Sequence, residues 1–341
     1  MFTKGKLMFL YSESLVHAGA GAGVGAVDLP IQRERVSNWP VIHASGVKGA
    51  MREHFEIRDC RNDDLFIVFG PDSNKKDSSN HSGNPADNSG AISFSDARIL
   101  LFTVRSLKGT FAYITCPLAL TRLKRDLETL KMLGNDLITD DITQAATMSI
   151  TGNQILLPSD AAAKDLDSDL AITPRNQKKP QQPQSSSKVV LEELGFEAKP
   201  DVKVGNLASW LGDCWKSSNC KALPAPWLNL KRRLAVVSDD VFKDFVEFST
   251  EVITRNKIDD NTGTVMEGAL WTEECLPREA LLYSLMLACK PRKKDNKIKS
   301  DKDVIEYVAS QQGKTPERIW VGGDVTVGRG IVRTAFVEKE K

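Results

Sequence analysis

The spacing of apolar residues changes several times along the chain, and each change predicts an element. Residues 6–15, KLMFLYSESL, form an apolar run that reads as a first strand, and a glycine-rich stretch, HAGAGAGVGAVDLPIQRE at 17–34, follows it. Next, VIHASGVKGAMREHFEI (41–57) predicts a helix that Ser45 can cap, with Lys48 and Arg52 four residues apart on one face. AISFSDARILLFTV (91–104) and GTFAYITC (109–116) predict two strands joined by RSLKG. Pro117 suits the first turn of the helix PLALTRLKRDLETLKML (117–133), whose Leu120, Leu123, Leu127 and Leu130 share one stripe.

The alternation resumes toward the C-terminus. LAVVS (234–238) predicts a strand, Ser238 caps the helix DDVFKDFVEF (239–248), and EVITRNKIDDNTGTVMEGALW (251–271) predicts a hairpin with DDNTG at its tip. ALLYSLMLA (280–288) predicts a strand and DKDVIEYVASQQ (301–312) a helix. RIWVGGDVTVGRGIVRTAFVE (318–338) then predicts strand, glycine loop (320–333) and strand. Strand, helix, strand, strand, helix, strand in each half predicts an α+β fold built on ferredoxin-like units, with no repeat at the level of residues. Two polar stretches interrupt it. Residues 71–90, dominated by Ser, Asn, Asp, Gly and Pro, predict a mobile loop, and 174–188, PRNQKKPQQPQSSSK, a disordered insertion. Neither carries enough apolar surface to offset its ordering entropy.

Composition narrows the class without naming a partner. At 341 residues, 41% hydrophobic and 27% charged, the chain is ordinary soluble material for a single domain over 1–341 or two joined closely. With a net charge of +1, any anionic partner must be met by local clusters of Lys and Arg. No apolar run reaches the roughly 18 residues of a membrane span. The opening MFTKGKLMFLYSESL lacks a small-residue cleavage site, which predicts a cytoplasmic protein without a membrane partner. The cysteines (Cys60, Cys116, Cys214, Cys220, Cys275 and Cys289) are scattered without a CxxC pair, as reduced thiols are, and predict no zinc site.

The glycine stretch satisfies a permissive GxGxxA dinucleotide fingerprint at residues 21–26, but its context fails. Pro30 and Pro40 leave no room for the helix that must face a pyrophosphate, DLPIQRE has no apolar helical stripe, and no GKS or GKT follows. What remains is backbone freedom between His17 and Asp28, read as a mobile loop that lets a ligand approach. SGVKGAMR places Ser45, the N–H groups of a helix start, Lys48 and Arg52 within reach of one anion. GGDVTVGRG sets Gly322, Gly323, Gly328 and Gly330 around Arg329, a second backbone-lined loop with a cation.

Four blocks in this order make the chain resemble the RAMP superfamily of CRISPR proteins, and within it the repeated backbone subunits of type III-B (Cmr) effector complexes. They are VHAGAGAGVGAVDLPIQRERVSNWPVIHASGVKGAMRE (16–53), DARILLFTVRSLKGTFAYITCPLAL (96–120), EGALWTEECLPREALLYSL (267–285) and GGDVTVGRGIV (322–332). The resemblance implies a ferredoxin-like palm with a β-hairpin thumb over 252–272, stacking side by side along a CRISPR RNA guide (crRNA) with further copies of itself and other Cmr subunits. It implies that target RNA is cut at regular intervals in a reaction requiring a divalent metal, Mg²⁺ or Mn²⁺. Asp28 of the DLP loop is then the cutting acid and a metal ligand, with His17, Glu273 and Glu274 as further candidates. Where relatives often carry an aromatic residue after the acid pair, this chain has Cys275. The guide would be gripped by Ser45, Lys48, Arg52, Arg329 and the glycines of 322–330. Lys257, Ile258, Val265 and Met266 of the thumb would push between base pairs. The competing reading is an RNA-binding scaffold that leaves cleavage to another subunit.

Overall fold

Leu7, Phe9 and Tyr11 alternate with Met8 and Leu10 along the first strand, β1 (Lys4–Ser12), and all five are buried. Successive side chains of a strand point to opposite faces, so an unbroken apolar run needs cover on both. The computed structural model supplies it. It describes residues 1–23, 25–59, 63–71, 89–159, 168–172, 187–220, 224–292, 297–310 and 315–337. The predicted insertions at 71–90 and 174–188, apart from their ends, lie outside the described residues, as does Cys60.

After β1 come β2 (Val41–Ile42), α1 (Ala44–Asp59), α2 (Asp63–Phe69), β3 (Ile92–Phe94), β4 (Ala97–Arg105), β5 (Phe111–Thr115), α3 (Pro117–Met132), α4 (Asp140–Ala145) and β6 (Gln154–Pro158). The middle continues with β7 (Lys188–Leu191), β8 (Leu194–Asp201), α5 (Val202–Lys216), α6 (Leu230–Arg233), β9 (Leu234–Val236) and α7 (Asp239–Phe248). Last are β10 (Glu251–Ile258), β11 (Val265–Cys275), β12 (Leu281–Ala288), α8 (Asp301–Ala309), β13 (Arg318–Trp320) and β14 (Ile331–Val337). Among the described residues twelve strands form one mixed sheet in the order β13-β14-β1-β12-β4-β5-β9-β6-β8-β7, with β2 beside β4 and β3 beside β12. β10 and β11 form a separate two-stranded sheet.

At the centre of the sheet β14, β1, β12 and β4 are antiparallel neighbours. One face is covered by α1 and α8: Val47, Met51 and Phe55 join Val304, Tyr307 and Val308 over Met8 and Leu10, and the Phe55 and Tyr307 rings stack at 5.2 Å. On the other, α3, α4 and α5 cover Leu7, Phe9 and Tyr11, with Trp215 stacked on Phe9 at 6.3 Å. Pro117 opens α3 as expected, and its four striped leucines are fully buried, each stabilising by about 1.5–3 kcal/mol. Ser238 caps α7 by accepting the Val241 N–H at 3.4 Å.

Two expectations are corrected. The strand–helix pattern does not divide the chain into two similar halves; β1 and β4 from one end interleave with β12 and β14 from the other, and the residues between extend the sheet through β5, β9, β6, β8 and β7. Nor does Ser45 cap α1. It lies exposed inside the first turn, and Asp96 Oδ1 instead accepts the Ala44 N–H at 2.8 Å. Asp96 is free to do so because residues 91–104 break between β3 and β4 rather than running as one strand. The five described cysteines are free thiols, and no helix among the described residues is long and apolar enough to cross a membrane.

Candidate active site

The two limbs of the glycine stretch pair with each other as a small hairpin. Gly19 bridges Ile31, Ala20 N–H donates to Pro30 O at 2.9 Å, and Gln32 N–H donates to Ala18 O at 2.8 Å. Gly23 N–H closes the tip on Asp28 O at 2.8 Å. A Cβ at Gly21, which is left-handed at φ +93°, or at Gly25 would meet nothing within 4 Å. These two glycines keep open space beside the acid.

The returning limb of that hairpin docks on β11. Leu29 bridges Glu273 in parallel register: Leu29 N–H donates to Thr272 O at 3.0 Å, and Glu274 N–H to Leu29 O at 3.0 Å. This leaves Asp28 exposed at the end of the bridge. Its Oδ2 accepts the Thr272 N–H at 2.7 Å and the Thr272 hydroxyl at 2.8 Å, and its own N–H donates to Thr272 Oγ1 at 3.0 Å. The Thr272 amide first, and the hydroxyl second, hold the Asp28 carboxyl below the usual carboxylate value. At neutral pH it is an anion with Oδ1 left for a substrate.

Glu273 and Glu274 follow on β11 and are only 2% and 5% exposed. Glu273 accepts from Trp271 Nε1 at 2.7 Å, from Arg255 Nη1 at 2.9 Å and from Arg329 Nη1. Asp324 accepts from the same two arginines at 3.0 and 3.2 Å. Burial by itself would raise the Glu273 carboxyl, but the Trp271 and Arg329 hydrogen bonds and the two arginine charges carry it below its ordinary value. Glu274 accepts Arg33 Nη2 at 2.6 Å and the Thr250 hydroxyl at 2.8 Å on Oε1, and the Ile31 N–H at 3.0 Å on Oε2. The acid pair therefore fastens the root of the β10–β11 hairpin to the C-terminal turn on one side and to the glycine stretch on the other.

His17 is buried as well. Its Nδ1 lies 2.7 Å from the Glu274 carbonyl oxygen, a contact that needs the proton on Nδ1. The His17 carbonyl in turn accepts the Gly323 N–H at 2.9 Å. A Cβ at Gly322 would stand 2.3 Å from that carbonyl oxygen, with φ at +88°. Gly322→Ala is thus expected to push the C-terminal turn off His17. Gly328→Ala, at φ +83° with nothing within 4 Å, meets only backbone strain of about 1–2 kcal/mol. Urea unfolding midpoints check this, with Gly322→Ala falling well below Gly328→Ala.

The predicted guide-binding residues do not all gather here. Lys48 Nζ donates to Ile92 O at 3.2 Å, and Arg52 bonds Glu56 at 2.8 Å and Gly70 O at 2.6 Å, so both are tied toward β3 and the end of α2 rather than toward β11. Burial, then the Arg52 charge, lowers the Lys48 ammonium below its ordinary value. Arg329 is not a surface cation but a buried member of the ion cluster, and Gly330 serves packing, since a Cβ there would meet Val321 O at 2.5 Å. The hairpin itself projects: β10 and β11 pair from Glu251↔Cys275 to Ile258↔Val265, and Lys257, Ile258, Val265 and Met266 are exposed near its tip. Val252 and Leu270 are exposed too, and so much solvated apolar surface on one hairpin marks a contact face. Sequence reading missed Thr272, Arg255, Arg33 and Asp324. Nothing in WTEEC (271–275) singles out Thr272, whose partner Asp28 lies 244 residues away.

Among the described residues no group of three or more His, Cys, Asp or Glu could hold a metal ion, so Asp28 offers a single donor. A family model described as the RAMP superfamily matches residues 9–333. The chain belongs to the RAMP superfamily. Within it, the CRISPR system Cmr endoribonuclease Cmr4 of Pyrococcus furiosus is 34% identical over 341 residues, covering 98% of this chain and 96% of the relative. The crystal structure of oligomeric Cmr4 from the same organism superposes with a TM-score of 0.65 at 29% identity, covering 98% of this chain and 99% of that one. A chain in the cryo-EM structure of the type III-B Cmr-beta complex bound to cognate target RNA shares the RAMP fold with a TM-score of 0.67 at 18% identity, over 98% of each chain.

Proposed function

We propose that this chain is the repeated backbone subunit of a type III-B CRISPR effector complex, stacking with copies of itself and other subunits along a crRNA and cutting paired target RNA through Asp28. One observation carries the reading. Of the four acid and histidine candidates, Asp28 alone is exposed, and it is ionised, held by one oxygen and set at the foot of a projecting hairpin. Full-length similarity to a protein named as an endoribonuclease supports it. The antiparallel order β14-β1-β12-β4 with α1 and α8 on one face reads as a ferredoxin-like palm, and β10–β11 as its thumb.

The guide is held by its backbone, through Ser45 and Lys48 at the start of α1, Arg52 behind them and the open side of Gly328, because gripping independent of sequence must use phosphates. Apolar Ile258, Val265 and Met266 of a neighbouring copy wedge between base steps of the guide–target duplex, at a cost of about a few kcal/mol per step that backbone contacts offset. A ribose freed from the stack can bring its 2′-hydroxyl in line with the adjoining phosphodiester. The 2′-oxygen attacks phosphorus and the bond to the 5′-oxygen breaks. The proton of the hydroxyl passes to water and another is returned to the leaving 5′-oxygen, giving a 2′,3′-cyclic phosphate and a 5′-hydroxyl. Asp28 is too acidic to be an efficient base at neutral pH, so its part is to hold the attacking hydroxyl with Oδ1. The alternative part for the same oxygen is as the protein ligand of Mg²⁺ or Mn²⁺, which would neutralise charge on the phosphate.

Incubating the assembled complex with end-labelled complementary RNA tests the reading. The expected result is a ladder of evenly spaced products that EDTA abolishes. Bound but uncut RNA would leave a scaffold in place of a nuclease, and a ladder unaffected by EDTA would remove the cation.

A further inference from the structure

We infer that Thr272 is a positioning residue for cleavage, setting the rotamer of Asp28 so that one carboxylate oxygen is spent on the protein and the other is presented to RNA; the inference rests on the reading of Asp28 given above. Asp28 sits on an exposed turn whose upstream limb is rich in glycine, where a short acidic side chain would otherwise sample several rotamers. Three hydrogen bonds to one residue prevent this. The Thr272 hydroxyl has a single proton, given to Asp28 Oδ2 at 2.8 Å, and accepts from the Asp28 N–H at 3.0 Å, so its bonding fixes the direction of both groups. The Thr272 N–H adds a second bond to the same Oδ2 at 2.7 Å.

Thr272 is itself held through its backbone. It stands on β11 opposite Thr254, immediately before the two glutamates that anchor the hairpin root, and its carbonyl accepts the Leu29 N–H at 3.0 Å. A hydroxyl in that place adds nothing to the core, because Thr272 is only half-buried and the acid it binds is exposed. What it fixes is where Oδ1 points. The bonds also reach across from the thumb to the catalytic turn, so a thumb seated on a duplex carries the carboxylate with it.

The experiment measures single-turnover cleavage and RNA affinity in the reconstituted complex for Thr272→Val, Thr272→Ala, Thr272→Ser and Asp28→Ala. Thr272→Val keeps the shape and the backbone N–H but removes the hydroxyl. It is expected to slow cleavage by about tenfold or more, as displacing a reacting group does, with RNA affinity unchanged within about twofold. Thr272→Ser should restore the rate to within about threefold, and Thr272→Val in the Asp28→Ala background should cost nothing further. Cleavage by Thr272→Val at the normal rate overturns the proposal. So does loss of RNA binding in step with cleavage, failure of serine to rescue, or failure of both the valine and alanine variants to assemble. If Asp28→Ala itself cleaves normally, the assignment of Asp28 fails and Thr272 falls with it; if Asp28→Ala is inactive while Thr272→Val is not, only Thr272 falls.

Discussion

Asp28→Ala is expected to leave guide and target RNA bound while lowering target cleavage by roughly 10²–10⁴-fold, the range associated with a group acting on the reacting atoms. The side chain is exposed and bonds only Thr272, so its removal opens no cavity and strands no buried charge. Assembly should persist, and stability should fall only by the loss of the exposed hydrogen bonds to Thr272. Asp28→Asn sharpens the result, because the amide oxygen can still accept from the Thr272 hydroxyl while the charge is gone. Cleavage by the asparagine variant near the parent rate would mean that shape at this position suffices. Loss comparable to alanine would mean that the anion matters. Quantified product ladders from saturated complexes give both numbers, and wild-type cleavage by Asp28→Ala would remove the acid from the mechanism.

Glu273→Ala should be the most destabilising single change at the site, by about 3 kcal/mol, because it deprives buried Arg329 and neighbouring Arg255 of their shared acid. Asp324 remains to one side and keeps the loss at the lower end of the usual range. Urea unfolding of the isolated chain measures it. The pH dependence has a definite sign. The folded carboxyl lies below its ordinary value, so the stabilisation is complete above an unfolded pKa of about 4.3 and fades as pH falls through the lower folded value. The deficit of Glu273→Ala should therefore be full at neutral pH and shrink under strong acid. Any cleavage lost by this variant follows from a loosened hairpin root, which separates it from Asp28→Ala, where the loss of stability is small.

Elements whose information is local could be read from the sequence. The leucine stripe behind Pro117, the Ser238 cap and the turn at Asp259 each depend on residues within a few positions, and each forms as expected. The cap on α1 did not, because its acceptor is Asp96, 52 residues away, in a break that propensity alone does not show. Helix α5 and the strand pair β7–β8 follow directly on the polar stretch 174–188, and no cap or turn signal in the sequence marks where that stretch ends. At the site, residue types were legible and their roles were not. Glu273, Glu274, His17 and Arg329 have the chemistry of an active centre, yet bonds to partners far off in sequence turn them inward as struts. Asp28 stood out for its wording, while the threonine that aims it carried no signal until the two strands met.

The placing of β1 between β12 and β14 has a consequence for biogenesis. β1 leaves the ribosome long before it can find its neighbours, since both lie more than 250 residues downstream. At translation speeds of about 5–20 residues per second it waits on the order of a quarter of a minute to a minute with its apolar side chains unsheltered. The central sheet of this topology can close only once the C-terminal strands have been made.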